Sequence, residues 1–372
     1  MRDLEVPVAR VSAASQAAAS AAASLGEARR ETLLEDTRLI SGPNPTDGLR
    51  LDNVWVSTPK HSKHGQLVGK EEEEFAVRGL SLHVPGGSVC VVVGPPKSGK
   101  SSLLDAIAYA PSTYSKSPSM NQGLPLPNLP GLARGSVQLQ GQLRQLWRPG
   151  PWRQAVHVMR QQPARFPDLS LAANVNPATA AAASDTASWS SPTKDRRSIE
   201  AGVGAALALA GAPHLTTSIS SSHGRSSAIG QQTLSSEDWV KIGLARGVRG
   251  LVSSSANNGG SAGGGGGAAL VLLDEPLGLS NEGDSEEREV DFMSALVSAV
   301  EMQPQCAVVI ATRSPKLALF ATQVVVLGPR GRVLEQGDPE ELLAANGHFA
   351  ELLQASDEVA TSPGMHESTA CE

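Results

Sequence analysis

Gly94-Pro95-Pro96-Lys97-Ser98-Gly99-Lys100-Ser101-Ser102 follows directly on the apolar run Val89-Cys90-Val91-Val92-Val93. Beyond it, Leu103, Leu104, Ile107 and Ala108 recur at helical spacing, so the local order is buried strand, glycine-bounded turn, helix. The turn matches G-x-x-x-x-G-K-[ST]. In that pattern backbone N–H groups wrap a polyphosphate and the helix N-terminus adds a favourable partial charge. Residues Gly94 to Ser102 form the cradle, Lys100 reaches the terminal phosphates and the Ser101 hydroxyl sits on Mg²⁺. The bland alternative is a turn ahead of an ordinary helix, and the ordered strand, loop and helix argue against it. The stretch predicts binding of a nucleoside triphosphate.

Around this motif the composition bounds the rest. In 372 residues there are 37 glycines and 25 prolines but only 3% aromatic residues, which suits one folded domain with low-complexity insertions better than two compact domains. The formal net charge of −6 comes with no basic stripe or arm, so a nucleic-acid partner is not expected. Cys90, Cys306 and Cys371 are scattered without metal-ligand spacing, which fits a reducing compartment and no structural metal. No apolar run approaches the ~18 residues of a membrane span. The Ala/Ser/Arg-containing start faintly resembles an organelle transit peptide, although Asp3 and Glu5 count against one.

The expected organisation is a helical, partly disordered linker over 1–45, a nucleotide-binding domain over 46–355, and a disordered tail over 356–372. Low-complexity insertions are expected at about 111–132, 178–197 and 253–267. A helix is expected over 11–38, with strands at 49–56, 77–84, 136–140 and 156–159 and a helix at 199–211. Strand 270–273, helix 286–301, strand 307–311, a short helix 315–321 and strand 323–327 follow. Strands alternating with helices around a phosphate loop predict an α/β fold with a mostly parallel sheet.

A second constellation, Leu270-Val271-Leu272-Leu273-Asp274-Glu275-Pro276, ends a buried strand in adjacent carboxylates that point to different sides. Asp274 suits the Mg²⁺ shell, and Glu275 suits a general base for an attacking water.

Between the two motifs, Leu234-Ser235-Ser236-Glu237-Asp238 continues into a helix carrying Leu244-Ala245-Arg246. Here the chain resembles the nucleotide-binding domain of ABC transporters, whose L-S-G-G-Q signature aligns without a gap. Gln161 and the following Asn174-Val175-Asn176-Pro177 resemble that family's Q-loop region. Val324 to Gly337, with Glu341-Leu342-Leu343, resembles its closing strands and terminal helix. The resemblance covers about 49–354 apart from the insertions. Gly99 to Leu104 and Pro276-Leu277 favour the C, multidrug-resistance-associated, subfamily, and Ala23 to Asp36 is similar to its linker.

The resemblance implies a P-loop ATPase core with an antiparallel β subdomain and a helical signature subdomain. It implies ATP and Mg²⁺ as ligands, with Gln161 joining Ser101 and Asp274 at the metal and Glu275 in catalysis. Two such domains would sandwich two ATP molecules, each held by one domain's phosphate loop and the other's signature, where Ser235 would donate to phosphate. A sister domain and transmembrane domains become the implied partners, at the cytoplasmic face of a membrane.

Several positions depart from the family. Glu237 and Asp238 replace signature residues, and each carboxylate at ~5 Å from the partner's γ-phosphate would cost roughly 3 kcal/mol at an effective dielectric near 20. Alternatively, Ser235 and Asp238 form a capping box, and early acidic residues suit the helix dipole. Arg313 stands at the switch histidine; it stays charged and accepts no hydrogen bond. Asn281 replaces the D-loop aspartate, and Thr58 the aromatic residue that stacks on adenine, for which Trp55 or Phe75 could substitute. Lys97 occupies a glycine position, costing ~1 kcal/mol if φ is positive there.

These departures predict nucleotide binding with weak or absent hydrolysis. A non-catalytic ATP-binding regulatory protein is the alternative. A P-loop GTPase or kinase fits poorly: no N-K-x-D guanine motif is present, and the Leu234–Arg246 helix has no place in a kinase.

Overall fold

The computed structural model describes residues 44–58, 75–109, 132–177, 194–216, 234–253, 268–278 and 285–361. Apart from Asn44, these belong to the unit Pro45–Glu372. The expected helix at 11–38 and Asn281 lie outside the described residues, as does most of the three insertions.

The strands are β1 (Leu49–Ser57), β2 (Phe75–Val84), β3 (Val89–Val93), β4 (Leu132–Leu139), β5 (Gln142–Leu143) and β6 (Val156–Met159). They continue as β7 (Leu270–Asp274), β8 (Ala307–Thr312), β9 (Gln323–Leu327) and β10 (Val333–Gly337). The helices are α1 (Lys100–Ala108), α2 (Pro149–Ala155), α3 (Leu171–Val175) and α4 (Lys194–Leu209). After them come α5 (Ser236–Ser253), α6 (Ser285–Glu301), α7 (Pro339–Ala344) and α8 (His348–Thr361).

Two differences from the sequence reading concern boundaries. The helix expected at 199 begins at Lys194, inside the span read as low-complexity, and α8 continues to Thr361, where a disordered tail was expected from 356. In both places Ala and charged helix formers carry the helix past the point where composition turns polar.

The six-stranded sheet has the order β10-β9-β3-β8-β7-β6, and a four-stranded sheet has the order β2-β1-β4-β5. In the first, β9, β3, β8, β7 and β6 run parallel and β10 is antiparallel at one edge. Parallel strands covered on both faces need apolar residues throughout, and β3, β7 and β8 are buried at every position. The alternation of β3 divides the core: Val89, Val91 and Val93 face one apolar cluster, Cys90 and Val92 the other. The second sheet is antiparallel and two-faced, as the alternating burial of β2 requires.

A helical group of α3, α4 and α5 packs beside β6 and β7. The α5 helix comes close because glycines face the sheet side. A Cβ on Gly250 would crowd Ala268 and His157, and one on Gly247 would press on Met159 and Leu273.

Ile310, central in β8 and fully buried, reports on this packing. Ile310→Ala is expected to cost about 3 kcal/mol. Urea unfolding should show a lower midpoint with an unchanged slope.

Candidate functional site

The site grows out of the carboxyl ends of four parallel strands. Gly94 follows β3 with φ 153° and Gly99 precedes α1 with φ 97°. A Cβ on Gly94 would run into the Leu327 carbonyl, and one on Gly99 into the Ala76 carbonyl, so both positions require glycine for space as well as for φ. Lys97 sits at φ 65°, the left-handed region, and carries the expected strain of ~1 kcal/mol. The loop ends at the first turn of α1, whose opening N–H groups have no partner within the helix.

Lys100 is buried and folds back over the loop. Its Nζ donates to the Gly94 carbonyl at 2.6 Å, the Pro95 carbonyl at 3.0 Å and Ser98 Oγ at 3.4 Å. Burial lowers its pKa; Glu275 opposes that, Arg313 adds to it, and Asp274 opposes it. Ser101 Oγ donates to Asp274 Oδ1 at 3.1 Å, linking α1 to the end of β7. The Asp274 carboxyl is raised above its ordinary range by burial, against the Ser101 hydrogen bond and with Glu275 contributing. A hydroxyl and one carboxylate at the rim of a glycine loop match the hard oxygen donors that Mg²⁺ takes beside a phosphate.

Glu275 is also buried, with φ 47°. Its amide donates to the Ala311 carbonyl at 2.8 Å, extending the β7–β8 ladder by one residue. That places its carboxylate against the end of β8. Oε2 accepts from Thr312 Oγ1 at 3.3 Å and from the Arg313 amide at 3.2 Å, while Oε1 pairs with Arg313 Nε at 3.4 Å. Both carboxylate oxygens are therefore engaged. Gln161, two residues beyond β6, completes the set: Lys100, Ser101, Gln161, Glu275 and Arg313 all line one cleft of about 380 Å³. Pro96, Lys97, Ser98, Gly99 and Ser102 line it too.

Ser235 lies elsewhere, at the N-cap of α5. Its Oγ accepts from the Asp238 amide at 3.0 Å, while its own amide and hydroxyl donate to Asp238 Oδ2 at 3.0 and 2.8 Å. This is a reciprocal capping box with aspartate in the usual glutamate place. Burial opposes the Asp238 charge, but hydrogen bonds from Ser235 and His214 outweigh it and hold the carboxyl below its ordinary range. The Glu237 carboxyl is lowered chiefly by Lys241, at 2.8 Å, with Arg288 at 3.7 Å adding to it. Glu237 is thus engaged by Lys241 of its own helix and by Arg288 of α6, and Asp238 by Ser235 and His214.

Of the aromatic candidates, Phe75 lines the cleft beside Thr58, whereas Trp55 packs edge-on to Phe75 with ring centroids 5.0 Å apart. The Arg134 guanidinium lies 5.5 Å from both ring centroids, and Trp55 Nε1 donates to Asn53. Trp55 is a packing residue here. Burial pushes the Cys90 and Cys306 thiols up to about 12, so neither is a nucleophile.

Several contributors had no signal in the sequence. Thr312 lay just past the expected strand 307–311, and neither Arg78 nor Arg330 of the cleft was a candidate site residue. Arg246 of the Leu-Ala-Arg run binds the Asn174 carbonyl at 2.6 Å and the Ala164 carbonyl at 3.0 Å, tying α5 to the segment after Gln161.

The capping box sets an expected outcome. Ser235→Ala and Asp238→Ala should each cost about 1 kcal/mol in thermal unfolding. The double variant should cost little more than either alone, because one reciprocal unit is lost.

No protein-family model matches the chain, and no curated protein matches it in sequence. Among solved structures, the chain is similar to that of a bacterial Atm1-family ABC exporter with ATP bound, with a TM-score of 0.53 and 18% identity. The match covers 83% of this chain and 42% of the exporter chain. At that identity the likeness speaks for the fold: a mixed α/β architecture of the kind found in part of an ABC exporter.

Proposed function

We propose that the chain binds Mg-ATP on Gly94–Ser102 and works as the nucleotide-binding domain of an ABC-type transporter, with weak or absent hydrolysis. The observation that carries this reading is the convergence of Lys100, Ser101, Gln161 and Glu275 on one cleft, with Asp274 bonded to Ser101 at its rim. That the exporter of similar fold was solved with ATP bound supports the same ligand. Partners on this reading are a sister nucleotide-binding domain and transmembrane domains, at the cytoplasmic face of a membrane. Among the described residues no helix is long and apolar enough to cross a membrane. The C-subfamily assignment rests on the sequence details alone.

The chemistry follows from the side chains. Lys100 supplies positive charge to the terminal phosphates once its bonds to Gly94 and Pro95 are exchanged for phosphate oxygens. Ser101, Asp274 and Gln161 would hold Mg²⁺, which when bound neutralises charge on the phosphates. Glu275 would accept a proton from water as the base, and here Oε1 faces the Arg313 guanidinium while Oε2 accepts two hydrogen bonds, so an attacking water has to compete for it. At the signature, the Ser235 hydroxyl proton is committed to Asp238. Both facts favour slow turnover, and the Glu275–Arg313 pair also favours the second reading, a regulatory ATP-binding protein whose output is closure on the nucleotide.

Calorimetric titration with Mg-ATP tests the first part: Lys100→Ala is expected to abolish binding, and Glu275→Gln to leave it intact. Unchanged affinity in the lysine variant would overturn the proposal. Steady phosphate release that disappears in Glu275→Gln marks a working ATPase; no release in the presence of a competent partner domain supports the regulatory reading.

A further inference from the structure

The cleft has a second wall that the phosphate chemistry does not use. Ala76 and Arg78, alternate residues on one face of β2, line it together with Phe75, Thr58 and Arg330. Arg330 comes from the turn between β9 and β10 and stands at φ 61°. The next residue, Gly331 at φ 68°, lies so close to β2 that a Cβ there would overlap the Ala76 carbonyl. An isolated bridge between Arg78 and Arg332 fastens the same turn to β2. Two arginines are thereby delivered to one lip of the cleft by backbone packing.

Among the described residues neither guanidinium has an ion-pair partner. Arg78 Nε is buried without a hydrogen-bond partner, a demand that folded proteins rarely leave unmet. Phe75 and Ala76 of β2 and Pro96 of the loop give the same cleft an apolar part. Phe75 itself is 9% exposed, with Trp55 edge-on to it and the Arg134 guanidinium over its ring, which leaves little of that ring to a ligand.

We propose that Arg78 and Arg330 form the nucleobase seat of this site, their guanidinium planes stacking on the base where an aromatic ring would otherwise lie. The inference rests on the triphosphate reading of Gly94–Ser102, which accounts for one end of the ligand and leaves the flat end to be held. A planar, delocalised cation stacks on a π face and is weakly hydrated, which suits a partly apolar wall. Stacking reads the face of a base and ignores its edges, so the seat accepts different purines with similar affinity.

Binding of Mg-ATP, Mg-GTP and inorganic tripolyphosphate to the full chain separates the two ends of the ligand. The wild type is expected to bind ATP and GTP within a few-fold of each other and both tighter than tripolyphosphate. Arg78→Met with Arg330→Met should weaken ATP binding about tenfold and leave tripolyphosphate within about twofold. The double Lys variant, which keeps the charge and loses the plane, should behave like the Met variant and guards against misfolding as the cause. Unchanged ATP affinity in both variants overturns the proposal. So does a parallel loss of tripolyphosphate, which would make the arginines phosphate ligands, or a selective loss of ATP in Phe75→Leu alone. If Lys100→Ala leaves both ligands bound as before, the phosphate-loop reading fails instead.

Discussion

Backbone hydrogen bonds between β3 and β8 set Val93 beside Thr312, and those between β8 and β7 set Ala311 beside Asp274. This parallel register governs the site. It brings the Gly94–Ser102 loop, the acidic pair and Arg313 to the same carboxyl end of the parallel strands, although they are far apart in the chain. A shift of one residue would turn Asp274 and Glu275 to opposite sides and break the Ser101–Asp274 contact. The register is in turn held by apolar packing on both faces, where every residue of β3, β7 and β8 is buried. Core packing and site geometry are therefore one constraint.

The same register explains why the site is both assembled and restrained. Extending the β7–β8 ladder through the Glu275 amide places the carboxylate where the Thr312 hydroxyl, the Arg313 amide and the guanidinium converge. Removing the guanidinium alone would leave Oε2 satisfied and open Oε1 toward the cleft. Arg313 is the more exposed partner, at 39% against 7% for Glu275, so it is the side that can move. A competing polyanion is the natural cause of such movement, because guanidinium binds phosphate as readily as carboxylate. On the function proposed above, slow turnover would follow from a Glu275 carboxylate already engaged by Thr312 and Arg313.

Much of this was legible in the sequence because it is local. The order strand, glycine turn, helix at Val89–Ala108 and the acidic end of β7 each depend on residues a few positions apart. Their periods and turn residues are readable directly. The Ser235–Asp238 capping box was readable for the same reason, its partners being three residues apart. What could not be read depends on register and on sheet-to-sheet packing. No local signal joins Glu275 to Thr312 and Arg313, which lie 37 and 38 residues away. Arg78 and Arg330 meet at one cleft only because the Gly331 turn packs on β2. The role of Trp55 was equally hidden, since its choice between ligand and packing turned on the cross-strand Arg134 and Phe75.

A crystal structure of the chain with Mg²⁺ and a non-hydrolysable ATP analogue tests the central claim most directly. The expected result is the phosphates on the Gly94–Ser102 amides, Mg²⁺ at Ser101 and Asp274, and the Arg313 guanidinium withdrawn from Glu275 toward the terminal phosphate. Nucleotide bound away from this loop, or seated there without engaging Lys100 and Ser101, would contradict it.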